Sequence, residues 1–135
     1  MARIWDTAGQ EKFRTMAKSF YQQADGAILV FDLTDEKSFD KLHSWAKNIR
    51  EVASESIIKY LVGNKLDLTE DRVVDYEEAM KVAREYDMKY YETSAKQKVN
   101  VIEIFEDIIN EAYESGNYKS SKISDNPESR SRTCC

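Results

Sequence analysis

The sequence predicts a single α/β domain built on a parallel sheet, and three observations predict it. Apolar runs of strand length alternate with longer segments whose apolar residues recur every three or four positions. The chain has 135 residues, enough for one domain and hardly for two. It is 41% hydrophobic and 33% charged, with 4 Gly and 1 Pro. Such a composition supports a core and differs from disordered or collagen-like chains.

The elements follow in order. Arg3-Ile-Trp5 reads as the end of a strand whose beginning is missing. Residues 28–33 form a continuous apolar run, the signature of a buried parallel strand. Phe39, Leu42, Trp45, Ile49 and Val52 then share one helical face. Ile58–Val62 is a second strand, ended by Gly63. A second helix carries Tyr76, Ala79, Val82, Ala83 and Tyr86, with Asp75 and Glu78 spaced as a capping box. Met88–Tyr91 is a third, shorter strand. The last helix starts at Asn100, with Glu103 three residues on and a stripe of Ile104, Phe105, Ile108, Ile109 and Ala112. This alternation predicts right-handed crossovers. From Ser115 the stripe stops, so 115–135 reads as a flexible tail behind a domain at 1–114.

Several function classes drop out. A net charge of −5 without a basic stripe argues against a nucleic-acid partner. The longest purely apolar run, Ala27–Phe31, is too short to span a membrane, and no secretory signal opens the chain. The two cysteines, Cys134 and Cys135, allow neither a disulfide scaffold nor a four-Cys zinc site. The expectation is a soluble, intracellular domain.

Three polar clusters each follow a predicted strand, on the edge where open α/β sheets gather ligands. In Asp6-Thr-Ala-Gly9-Gln10, a strand-end carboxylate can hold hydrated Mg²⁺. Gly9 lets a backbone N–H approach a terminal phosphate, and Gln10 can orient a water. Taken alone, this string also fits an ordinary glycine turn. In Asn64-Lys-Leu-Asp67, the Asp can accept from N1–H and the 2-amino group of guanine, a donor pair that adenine lacks. The stem of Lys65 can lie over the base. A polar loop with a surface ion pair fits that string equally well. In Thr93-Ser94-Ala95-Lys96, the Ala95 N–H can donate to guanine O6, and Lys96 can cover the other ring face. It is the combination, in order on one edge, that argues for a nucleotide site. Cys134-Cys135 suit lipidation, where two chains anchor stably and one does not, and also fit an incidental pair or a weak metal ligand. His43 reads as a helix-surface residue.

Trp5-Asp-Thr-Ala-Gly-Gln-Glu11, Asn64-Lys-Leu-Asp67 and Glu92-Thr-Ser-Ala-Lys96 resemble the signature motifs of Ras-superfamily small GTPases. Phe13-Arg-Thr15, Leu29–Thr34 and the terminal Cys-Cys narrow the resemblance to the Rab family. It covers about residues 3–113 and the tail end. It implies an α/β P-loop NTPase (Ras-like) fold, a three-layer parallel sheet, and GTP binding and hydrolysis in vesicle traffic. It implies GTP/GDP and Mg²⁺ as ligands, with Asp6 reaching Mg²⁺ through water. Gly9 would sense the γ-phosphate, and Gln10 would position the hydrolytic water. Asn64, Lys65 and Asp67 would read guanine, helped by Ser94, Ala95 and Lys96. Residues 9–24 would form the second switch, read by effectors, exchange factors and GTPase-activating proteins. Cys134 and Cys135 would carry geranylgeranyl groups, delivered with an escort protein and prenyl transferase. That would place the protein on the cytoplasmic face of intracellular membranes, with a cytosolic pool.

The chain departs from that family decisively at one place, and in smaller ways at Gln22-Gln23 and Phe31. With glycines only at 9, 26, 63 and 116, it cannot form G-x-x-x-x-G-K-[ST], so the phosphate loop and first switch are missing. Losing about five charge-assisted hydrogen bonds, at roughly 1.5–3 kcal/mol each, removes about 7–15 kcal/mol of binding. The expectation is a chain that cannot bind nucleotide tightly and whose strand at 28–33 has an unpaired apolar edge. The alternative is a non-hydrolysing fragment that binds effectors or escort proteins.

Overall fold

A computed structural model describes residues 2–6 and 21–116. Its three strands are β1 (Gly26–Asp32), β2 (Ile58–Asn64) and β3 (Lys89–Glu92). They pair in parallel in the order β1-β2-β3, with Gly26 opposite Ile58 and Gly63 opposite Glu92. The helices are α1 (Glu36–Asp40), α2 (Leu42–Val52), α3 (Tyr76–Glu85) and α4 (Val101–Glu114). Residues 21–23 are also helical.

Side chains alternate across the sheet, because a strand turns successive residues to opposite faces. Leu29, Phe31, Leu33 and Leu61 pack with Phe39, Leu42, Ala46 and Ile49 of α1–α2 and with Ala79, Val82 and Ala83 of α3. Tyr60 and Val62 face the other way, onto Ile104 and Ile108 of α4. Helices on both faces give the predicted three layers.

Four expectations need correction. Arg3–Trp5 joins neither strand ladder, and Ile4 and Trp5 are 70% and 61% exposed. A strand persists only where a neighbour accepts its backbone bonds. The stripe from Phe39 to Val52 is two helices rather than one. Asp35 caps α1 by accepting from the Lys37 N–H at 3.0 Å, and the chain turns at Lys41 before α2 begins. Asp75 occupies the N-cap of α3, but its side chain makes no cap bond. Glu77 and Glu78 in the first turn favour the helix N-terminus electrostatically instead. Asn100 occupies the N-cap of α4 in the left-handed region (φ 58°), but its side chain makes no cap bond. Its Nδ2 donates to the Glu92 carbonyl at 2.8 Å. The expected edge is present: β1 has no strand on its outer side among the described residues, and Val30 is 61% exposed.

Candidate functional site

The parallel register brings the C-terminal ends of β2 and β3 side by side, and the two motifs leave the sheet together. Thr93 N–H donates to the Gly63 carbonyl at 2.8 Å, and Leu66 N–H returns a bond to the Thr93 carbonyl at 2.9 Å. Asn64 Oδ1 then accepts twice at 3.1 Å, from Thr93 Oγ1 and from the Ala95 N–H. Its carbonyl oxygen is engaged inward, leaving the Nδ2 amine as its donor for a ligand.

Asp67 is held in the same way. Ser94 Oγ donates to Asp67 Oδ1 at 2.5 Å and accepts from Gln97 N–H at 3.0 Å. The Ser94 hydrogen bond holds the Asp67 carboxyl below the ordinary aspartate range. Near neutral pH Asp67 is therefore an acceptor only, with lone pairs to spare for two further donors. Thr93 and Ser94 are 4% and 1% exposed, the two buried polar residues of the chain's described core. Above them Lys65, Ala95 and Lys96 are exposed. The result is a rigid polar floor with an open rim.

Lys65 bridges to β1. Its Nζ lies 2.6 Å from Asp32 Oδ2, while Asp32 Oδ1 accepts from Thr34 N–H at 2.8 Å and Thr34 Oγ1 at 2.7 Å. Burial pushes the Asp32 carboxyl up, but the bonds from Lys65 and Thr34 outweigh it and hold it below its ordinary value. The hydrogen bond to Asp32 raises Lys65 above its ordinary value. Lys65 adopts φ 69°, and Lys98 (60°) and Asn100 (58°) are left-handed nearby. Non-glycine residues in that region cost of order 1–3 kcal/mol each and cluster where surrounding contacts over-determine the backbone, at ligand sites above all.

The structure brings Asn64, Lys65, Asp67, Ser94, Ala95 and Lys96 together at one edge. Asp6 lies exposed in a segment without regular structure. Gly9, Gln10, residues 13–15, Cys134 and Cys135 lie outside the described residues. Among the described residues, no group of three or more His, Cys, Asp or Glu is arranged to hold a metal ion. The donors here fit a purine base and do not amount to a Mg²⁺ site. His43 is on the exposed surface of α2, with Nδ1 3.1 Å from the Tyr86 hydroxyl.

Two residues missed in the sequence stand behind this edge. Arg72 donates to both oxygens of Glu92, from Nη1 at 3.0 Å and Nη2 at 2.6 Å. The Tyr90 hydroxyl donates to Glu92 Oε1 at 2.7 Å. The place of Glu92 at the head of Glu92-Thr-Ser-Ala-Lys96 was its only signal.

Comparison with known proteins places the chain in a family. Residues 1–114 match the model of the Ras family. The chain belongs to the Ras family, on its Rab branch. It is 45% identical to Ras-related protein Rab-8B of Dictyostelium discoideum, over 98% of this chain and 68% of that protein. It is 52% identical to GTP-binding protein yptV2 of Volvox carteri, over 76% of this chain and 48% of the relative. For Ras-related protein Rab-13 of Canis lupus familiaris the identity is 48%, over 76% and 51%. The chain thus spans about half to two thirds of the length of these Ras-family relatives. No helix among its described residues is long and apolar enough to cross a membrane.

Proposed function

We propose that this chain supplies the guanine-reading part of a Rab-type switch, which binds and hydrolyses GTP in vesicle traffic. The observation that carries the reading is the interlock of the two motifs: Asn64 held by Thr93 and Ala95, and Asp67 held by Ser94. Asp67 would accept from N1–H and the 2-amino group. Asn64 Nδ2 would donate to N7, and the Ala95 N–H would turn from Asn64 toward O6. The Lys65 stem would cover the ring. Adenine presents no donor pair to Asp67 and would leave a charged group unpaired, a cost of roughly 1–3 kcal/mol or more.

The remaining roles rest on family membership. Asp6, Gly9 and Gln10 would serve Mg²⁺, the γ-phosphate and the hydrolytic water. Residues 9–24 would meet effectors, exchange factors and GTPase-activating proteins. Geranylgeranyl groups on Cys134 and Cys135, placed with an escort protein and prenyl transferase, would hold the protein on the cytoplasmic face of intracellular membranes.

Two charge-assisted bonds at roughly 1.5–3 kcal/mol each, about 3–6 kcal/mol together, correspond to dissociation constants on the order of 0.05–5 mM. The test must therefore tolerate weak binding. Amide NMR titration of the 135-residue chain with GDP and with ADP meets that need. GDP is expected to shift Lys65, Ser94 and Ala95 selectively. Equal shifts with both nucleotides, or none at millimolar ligand, would refute the reading.

A further inference from the structure

We propose that Arg72 is a positioning residue: by gripping Glu92 it sets the 93–96 loop so that the Ala95 N–H meets the six-position oxygen of guanine. The inference rests on the guanine reading above.

β3 is four residues long and, among the described residues, pairs on one side only, with β2. Backbone bonds alone leave its end weakly fixed, and the base-reading loop begins directly after that end. Glu92 is the last residue of the strand, and three ties converge on it. Arg72 takes both carboxylate oxygens, the Tyr90 hydroxyl takes one of them as well, and Asn100 Nδ2 holds the backbone carbonyl. The two-pronged geometry fixes direction as well as distance, which a single lysine charge cannot do. Arg72 is itself steered, because its Nε donates to the Val74 carbonyl at 2.7 Å. The pair is largely buried, with side-chain exposures of 25% and 13%.

The clamp also joins the two motifs. Arg72 lies on the segment that leaves the Asp67 loop through a single 3₁₀ turn, Thr69–Asp71. One guanidinium therefore ties the chain after Asp67 to the chain before Ser94. Gly63 makes room for it. A Cβ at Gly63 would lie 2.9 Å from the Tyr90 hydroxyl and 2.8 Å from Leu33 Cδ2. The bare glycine lets Tyr90 lie across β2 and reach Glu92.

Two readouts on the full chain test this. The first needs no ligand. In Arg72→Gln, amide exchange is expected to quicken at Thr93 and Ala95 while Leu61 and Val62 in β2 keep their protection. The second compares nucleotides by NMR titration. 6-Thioguanosine diphosphate keeps both donors toward Asp67 but offers sulfur in place of O6, whereas inosine diphosphate keeps O6 and loses one donor. The unaltered chain is expected to prefer GDP over both. Arg72→Gln is expected to lose its preference over the thio analogue by roughly three- to tenfold, the worth of one neutral hydrogen bond. Its preference over inosine diphosphate should stay. The charge-reversed pair Arg72→Glu with Glu92→Arg should restore the first ratio. If Arg72→Gln does not fold, Glu92→Gln tests the same tie with the shape retained.

Equal losses against both analogues would mean a general structural role and overturn the proposal. Unchanged exchange at Ala95 would also overturn it. If the unaltered chain shows no preference for GDP over ADP, the guanine reading falls, and with it the ligand half of this proposal. Faster exchange at Ala95 would then support the clamp as a loop-setting device alone.

Discussion

The two faces of the sheet are built differently. On the face covered by α1, α2 and α3, thirteen buried apolar side chains form one cluster. On the α4 face the buried cluster has four. There α4 leaves Ile102, Phe105, Ile109 and Tyr113 exposed, and Val30 of β1 is exposed too. Polar bonds hold the helix instead. Tyr60 and Lys89 both donate to Glu111, at 2.9 and 2.6 Å, and Tyr91 donates to Asp107 at 2.8 Å. The difference teaches where stability resides. The first face is a conventional core, while the second is a helix pinned by phenol–carboxylate bonds next to an apolar stripe. Contiguous exposed stripes of this kind mark surfaces that protein covers.

The comparison can be broken by mutation, starting with the largest effect. Leu61→Ala, in the first face, should cost about 2–5 kcal/mol, because the site is fully buried and collapses poorly. Urea unfolding would show it as a lower midpoint or as an unfolded chain. Gly63→Ala should cost about 1–3 kcal/mol through overpacking against Leu33 and Tyr90. Gly26→Ala should cost less, since its Cβ would crowd a single side chain, Ile108, at 2.7 Å from Cδ1 and 2.9 Å from Cγ1. Thermal melts of the two glycine variants side by side give that ranking.

The α4 face should respond to acid. Lys89 holds Glu111 below the ordinary carboxylate value, with help from Tyr60 and against burial. A depressed folded-state value means stability that is present above the unfolded value, about 4.3, and lost as pH falls through the folded one. Asp32 and Asp67 are also depressed and add to the same acid limb. Glu111→Gln should therefore flatten part of the fall in stability as pH drops below about 4.3, the limb these lowered carboxylates set. An unchanged limb would show that Glu111 contributes nothing to it. The smallest effect belongs to the stripe itself. Ile102→Ala or Ile109→Ala should stay within about 0.5 kcal/mol, as exposed substitutions do.

Much of this was legible in the sequence because it is written in local periods. Leu29, Phe31 and Leu33 alternate into one face, and Ala79, Val82 and Ala83 recur at helical spacing. The break after Asp40 was not legible. The Asp35 cap starts a helix earlier than the apolar stripe suggests, and Lys41 interrupts the stripe without disturbing its spacing. Nor could the run at 28–33 reveal that Val30 faces outward, since exposure depends on what lies beside the strand. Asn100 reads as a cap by type and spacing, but tertiary contact drew its amide to Glu92. At the site, Asn64, Asp67, Ser94 and Ala95 were legible as compact strings following strands. Arg72 and Glu92 are 20 residues apart, and Lys65 and Asp32 are 33 apart. Only the sheet register makes either pair.

The direction of α4 has a further consequence. Its start is tied to the end of β3 through Asn100 and Glu92, and its last turns are tied to the beginnings of the strands, where Lys89 meets Glu111 and Gly26 meets Ile108. The helix therefore runs back along the sheet, and the chain leaves it at the pole opposite the Asn64–Asp67 edge. The 19 residues after Gly116 can extend no further than about 65 Å. A surface that grips Cys134 and Cys135 would thus act as a mooring with a fixed maximum length.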